Sequence, residues 1–359
     1  MKYEYWLSCL NGIGCGAMRQ LIKYAGSAKN VYEMPAKDLE SIYRLSQPAA
    51  QAIALSRRHW DLDGEYEKLW EKNINFVFSD SEGFPDKLKN IVNPPRWLFY
   101  IGELPKDEVF SVAIVGARAC SEYAAAAATE LAKRVADYGA NVISGMARGV
   151  DGYAHEGAMD HGGKTFAILG CGVDVVYPPE HMRMYERILE SGGGVISEYP
   201  PGRSPLARQF PARNRIISGF SDAVIVVEGR ERSGSLITAD HALDQGKDVY
   251  VVPGLMGDIR AMGSNRLIKN GAGIIISPDD LAGDFGFIPK ADRGGSDRLQ
   301  IPLEKEELKV YSTLDLCPKD INELSKQTGL SQREAILAVY GLIDKGLAGE
   351  CPGGYKITV

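Results

Sequence analysis

The residues best equipped for chemistry stand where short apolar runs end, and most of them donate positive charge or hydrogen bonds. Val115-Gly116-Ala117-Arg118 closes the first such run. A dinucleotide site needs G-x-G-x-x-G there, so that bare backbone can touch a pyrophosphate. Gly116 supplies a single glycine. Arg118 brings a guanidinium, which either binds phosphate oxygens in pairs or rests in solvent as a surface arginine. The next run closes in Ser144-Gly145-Met146-Ala147-Arg148-Gly149-Val150-Asp151. Glycines at a helix start leave amides pointing outward at an anion, and Arg148 adds charge. Asp151 reads as a hydrogen-bond acceptor at that helix start. His155 can share its face, but no serine or cysteine stands in a nucleophile elbow nearby.

Two further clusters extend the pattern. Arg203, Arg208, Arg213 and Arg215 form the densest cationic run, around Phe210-Pro211-Ala212-Arg213-Asn214-Arg215. Cations beside an aromatic suit phosphates and stacked bases, and they suit a solvated loop as well. Ser233-Gly234-Ser235-Leu236-Ile237-Thr238 is a glycine–serine turn entering a helix, again an anion cradle. It lacks the lysine of a P-loop. Cys171, in Leu169-Gly170-Cys171-Gly172, has no local His or carboxylate to activate it. The five histidines and six cysteines are scattered, without metal-ligand spacing or a C-x-x-C pair. We therefore expect no metal, no cofactor and no catalytic residue.

The elements that must position these clusters fall into blocks of different texture. Residues 1–75 read as short helices. Their Gly12-Ile13-Gly14 turn is either a helix-hairpin-helix, whose amides approach a phosphate, or a plain helix–helix turn. Residues 76–104 carry Asn93-Pro94-Pro95 and read as a connecting segment. Over residues 105–285, β-branched runs alternate with helical stretches, which predicts a Rossmann-like, doubly wound and mostly parallel α/β sheet covered on both faces. Residues 286–300 read as a linker. Residues 301–359 have a winged-helix pattern, with Ser331 and Glu334 at capping-box spacing before the last helix.

The 359 residues are 45% hydrophobic and 25% charged, ordinary for a globular chain of two or three domains. No apolar run reaches membrane-span length and no signal peptide is visible, so membrane insertion is excluded and a cytoplasmic location with free thiols is expected. The net charge of −6 excludes a uniformly basic coat but leaves room for a local basic groove.

In order and spacing, Val112 to Arg118, Ser144 to Asp151 with Ala154-His155, Leu169 to Asp174 with Tyr177-Pro178, Phe210 to Ile217, Ser233 to Thr238 and Val252 to Gly254 resemble the motifs of the DprA/Smf family of DNA-processing proteins. The resemblance covers the whole α/β block, and the flanking pieces are similar to those of many members. It implies a homodimer that binds and protects single-stranded DNA entering during natural transformation and loads the RecA recombinase onto it. It implies phosphate contacts at Arg118, Ser144, Gly145, Arg213, Asn214 and the Ser233-Gly234-Ser235 turn. Gly116, Arg148, Phe210, Arg215 and Thr238 join this expected site from the reading of the residues. The first loop departs from the family's G-S-R in having Ala117, Arg148 replaces a common lysine, and Pro179-Glu180 lacks a basic residue seen in some members.

Two other readings remain. A nucleotide phosphoribohydrolase of the related LOG type needs a glutamate in its P-G-G-x-G-T-x-x-E loop, where this chain has Thr238 if the loops align. A winged-helix transcription regulator needs a basic recognition helix, whereas Arg333 and Lys345 are balanced by Glu334 and Asp344.

Overall fold

A computed structural model describes residues 1–10, 13, 15–42, 45–285, 303–315 and 317–357. Gly12 and Gly14 of the glycine turn, and the linker expected at 286–300, lie outside them.

Among the described residues, nine strands form one sheet: β1 (Asn75–Phe78), β2 (Trp97–Gly102), β3 (Ser111–Val115), β4 (Asn141–Ser144), β5 (Thr165–Leu169), β6 (Gly194–Ser197), β7 (Ala223–Val226), β8 (Asp248–Val251) and β9 (Gly273–Ile274). Their order is β1-β2-β6-β5-β4-β3-β7-β8-β9. From β6 to β9 every pairing is parallel, as the continuous apolar runs predict. The chain winds outward from β3 through β4, β5 and β6, then returns to place β7 on β3's other side. The connections that follow β3 and β7 therefore diverge, which opens a crevice at the carboxyl ends of these two strands.

The segment 76–104, expected as a connector, is instead built into the sheet. β1 pairs antiparallel with β2, and β2 pairs antiparallel with β6, with Phe99 opposite Ser197. The Asn93-Pro94-Pro95 break lies between the two strands rather than at a domain boundary.

Helices cover both faces. Between the strands run α7 (Asp86–Lys89), α8 (Glu122–Asp137), α9 (Val150–Asp160), α10 (Met182–Glu190), α11 (Gln209–Phe220), α12 (Gly234–Asp244) and α13 (Met262–Lys269), and α14 (Asp280–Asp284) follows β9; α1 to α6 are the N-terminal helices given below. Alternation along β3 divides the layers: Val112 and Ile114 pack with the α8 and α9 side, and Ala113 and Val115 with the α11 and α12 side. Helix α11 begins at Gln209, so Arg213 and Arg215 of the cationic run lie inside it. Pro211 is accommodated because the first helical turn has no intrahelical partner for its amides.

The N-terminal helices are α1 (Lys2–Ser8), α2 (Cys15–Ala25), α3 (Ala28–Glu33), α4 (Ala36–Glu40), α5 (Gln47–His59) and α6 (Leu62–Glu71). Side chains of Ser27, Ser46 and Asp61 cap α3, α5 and α6. Trp6, Leu21, Ile53 and Leu69 share one core with Phe76, Trp97 and Phe99 of β1 and β2, so this block packs on the antiparallel end of the sheet. At the other terminus α15 (Lys305–Tyr311), α16 (Ile321–Thr328) and α17 (Gln332–Asp344) are followed by β10 (Ala348–Cys351) and β11 (Gly354–Ile357), which pair as a two-stranded sheet. The Ser331–Glu334 capping box is formed, and Gly329, at φ +71°, ends α16 in the left-handed region. Val310, Leu324, Val339 and Leu342 give this unit a core of its own. No described helix is long and apolar enough to cross a membrane.

Candidate functional site

The crevice between the ends of β3 and β7 opens into a cavity of about 710 Å³. Its walls come from separate loop ends: Gly116 to Ala119 after β3, Ala147 and Asp151 after β4, Tyr177 after β5, Arg230 and Arg232 after β7, and the first turns of α11 and α12.

Two glycines let these loops meet. Gly149 has φ +73°, and a Cβ there would stand 2.3 Å from the Ala117 carbonyl. A Cβ on Gly116 would stand 2.6 Å from Val150 Cγ2. Gly116 therefore serves the packing of α9 beneath the first loop, which is the close-approach use of glycine. The Val150 amide donates to Ala117 O at 3.2 Å and ties the two loops together.

Arg213 forms the floor. It is only 5% exposed, and its guanidinium donates to Gly145 O at 3.0 Å and to Ile168 O, binding the ends of β4 and β5. Burial lowers its pKa to about 10, with the Asp151 carboxylate opposing that shift, so it stays cationic at neutral pH. Asp151 accepts from the amides of Gly145 (3.1 Å) and Ala147 (3.4 Å), the helix-start role expected of it. Burial raises its pKa, while Arg213 and those two amides pull it down. His155 is equally buried. Its Nδ1 meets Thr165 Oγ1, and burial lowers its pKa to about 3, so it is neutral and absent from the cavity lining.

The wall opposite is the start of α12. Ser233 Oγ accepts from the Ser235 amide and lies 2.8 Å from Ser235 Oγ, while Asn214 Nδ2 donates to Gly234 O at 3.0 Å. Helix amides, hydroxyls and the positive end of the helix dipole all face the cavity from this side.

Charge at the mouth is unbalanced. Arg118, Arg230 and Arg232 are exposed and line the cavity, and none forms an ion pair with a carboxylate of the described residues. Arginines close by are paired: Arg148 with Glu180, Arg260 with Asp258, and Arg266 with Glu231 at 3.1 Å. Asp151 is the one acid among the lining residues, and it is already hydrogen-bonded. A cavity of this kind can hold an anion with several oxygens.

Of the residues expected at the site, Gly116, Arg118, Phe210, Arg213, Asn214, Ser233, Gly234, Ser235 and Thr238 line the cavity. The other four do not. Ser144 is buried and donates to Ile114 O, and Gly145 lies under the Arg213 guanidinium. Arg148 points to Glu180 on the outer surface. Arg215 is buried with both ends committed: it donates twice to Glu198, at 2.6 and 2.7 Å, and to the carbonyls of Asn93 and Ala212. Among the lining residues outside the expected set, Arg230, Arg232 and Tyr177 carry groups that can contact a ligand. Arg230 and Arg232 alternate with Glu231 directly before the serine turn, and Tyr177 stands twenty-six residues before Arg203, the first of the loop cations ahead of α11. An R-x-R step before an anion cradle is a signal that sequence reasoning can use.

The family whose model is described as DNA recombination-mediator protein A matches residues 75–286. Protein Smf of Escherichia coli K12 is 35% identical over 294 residues, which cover 80% of this chain and 78% of that protein. The X-ray structure of DNA processing protein A (DprA) from Streptococcus pneumoniae is similar with a TM-score of 0.67 and 33% identity, covering 79% of this chain and 98% of that one. A structure of DNA processing protein A from Helicobacter pylori, described for its single-stranded DNA binding mode, is similar with a TM-score of 0.52 and 28% identity over 59% of this chain and 95% of that one.

Proposed function

The chain belongs to the DNA recombination-mediator protein A (DprA/Smf) family, and from that premise we propose that the crevice between β3 and β7 holds the backbone of single-stranded DNA. The observation that carries the reading is the set of unpaired arginines, Arg118, Arg230 and Arg232, facing a helix start across one cavity. A phosphodiester needs such a site, and its recognition is independent of sequence. The bound strand is protected by occupancy and handed to the RecA recombinase by a homodimer working in the cytoplasm. The α/β unit at 105–285, extended by β1 and β2, does the binding. The helical unit at 1–75 and the winged-helix unit at 301–359 flank it.

We read the protein as a binder without cofactor. In the LOG-type alternative a glutamate does the chemistry, but Thr238, at that place in the turn, is a buried residue of α12. A regulator reading duplex DNA has as little support. Among the residues α17 exposes are Ile336, Leu337 and Tyr340, an apolar surface suited to protein contact.

Fluorescence anisotropy of a labelled single strand, titrated between 50 and 200 mM salt, tests the site. For single strands the logarithm of affinity falls with log salt at a slope of about −0.7 per phosphate contacted. Arg118→Ala is expected to weaken binding by about tenfold or more and to flatten that slope by about one contact, with the unfolding midpoint unchanged. Wild-type affinity in the variant sinks the assignment.

A further inference from the structure

Phe210 is the aromatic of the basic run, yet its ring is already surrounded. Gly170 lies against it, where an added Cβ would stand 2.9 Å from Phe210 Cδ1. The Arg118 and Arg213 guanidiniums stand 5.4 and 6.0 Å from its centroid, within cation–π reach. The Tyr177 ring packs on it at 5.5 Å between centroids, with the planes 39° apart. Phe210 thus orients its neighbours and has little face left for a ligand. Tyr177 is placed differently. It sits on the loop between β5 and α10, lines the cavity and is 37% exposed. An aromatic ring left partly open beside a phosphate site has a face to offer, and a single strand differs from a duplex in having unstacked bases to lay on it.

We infer that Tyr177 is a base-stacking platform, on which a nucleobase lies while a backbone phosphate of the same stretch is gripped at Arg118. This rests on the reading of the cavity as a phosphate site. Arg118 and Tyr177 pack on the same Phe210 ring at nearly equal distances, so phosphate and base contacts are fixed relative to each other. Phe210 is the positioning residue between them. The platform accepts any of the four bases, because each has a π-face. It disfavours duplex DNA, whose bases remain stacked within the helix. Preference for the single strand is then a property of Tyr177, while the arginines supply affinity for either form.

The test is a cycle on the full chain with two strands of equal length at one salt concentration: oligo-dT, and an oligomer of abasic sugar–phosphate units. Stacking of one base on an aromatic ring corresponds to about a 5- to 100-fold change in affinity. Tyr177→Ala is expected to weaken oligo-dT by that factor, Tyr177→Phe to stay within about twofold of wild type, and all three proteins to bind the abasic strand alike. Thermal unfolding of Tyr177→Ala at the wild-type midpoint accompanies this result. Wild-type binding of oligo-dT by the alanine variant overturns the platform, as does equal loss on both strands. If wild type binds both strands equally with a steep salt slope, the phosphate site stands and the platform alone falls. If wild type binds neither strand, both fall together.

Discussion

Two arginines two residues apart in one helix, Arg213 and Arg215, look interchangeable as text and do different work. Arg213 reaches the cavity floor and keeps its charge there. Arg215 turns the other way into a bidentate pair with Glu198 and also holds Asn93 O, fastening the turn before β2 to α11. Removing one partner of a buried pair leaves the other charge uncompensated, at a cost of about 3–5 kcal/mol. Arg215→Met is therefore expected to lose about that much stability in urea unfolding, while the folded fraction binds single-stranded DNA within about threefold of wild type. A stable variant with abolished binding would return Arg215 to the site. The cation run was legible as a phosphate-binding motif. Which cation faces the ligand was not, because Glu198 lies seventeen positions away and nothing local marks it as Arg215's partner. Arg148 was misplaced for the same reason, its partner Glu180 being thirty-two positions away.

At the scale of elements, the site depends on loops held in register by short polar ties. Ser121 caps α8 by accepting from the Ala124 amide, and its hydroxyl donates to Glu228 at 2.6 Å. Its own amide donates to the same carboxylate at 3.2 Å. Ser121 follows Arg118 by three residues and Glu228 precedes Arg230 by two, so this tie joins the two loops that carry the mouth arginines. Ser121→Ala is expected to cost about 1–2 kcal/mol, measured as a lower thermal midpoint, and to weaken single-strand binding modestly as the loops drift apart. Equal stability would show the tie to be dispensable. The strands β3 to β8 and the start of α17 were plain in the sequence, since continuous β-branched runs and a capping box are local signals. The entry of β1 and β2 into the sheet was hidden. Antiparallel pairing with β6 is decided by tertiary packing, and Asn93-Pro94-Pro95 reads as a boundary wherever it falls.

For the whole molecule, the two flanking units differ in how they attach. Trp6, Leu21 and Ile53 share a core with Phe76, Trp97 and Phe99, so the N-terminal helices and the sheet edge stand or fall together. The C-terminal unit packs around Val310, Leu324 and Leu342 in a core that shares no residue with those of the sheet. A chain ending at residue 285 is expected to keep its affinity for single strands within about threefold and the same salt slope. A tenfold loss would place DNA contacts on the C-terminal unit. An overall charge of −6 is compatible with this function because repulsion between exposed charges is screened within about 8–10 Å in physiological salt, and the unpaired arginines are gathered at one mouth.

The pairing of β2 with β6 also sets an order of events during synthesis. Trp97-Leu98-Phe99-Tyr100-Ile101 leaves the ribosome long before Gly194–Ser197, the strand it must sit beside. At ordinary elongation rates that interval is on the order of 5–20 s. For that time an aromatic strand has β1 along one edge and nothing along the other, the kind of surface that nascent-chain chaperones bind. Slower translation through residues 103–193 is thus expected to lengthen that exposure and to lower the yield of native protein.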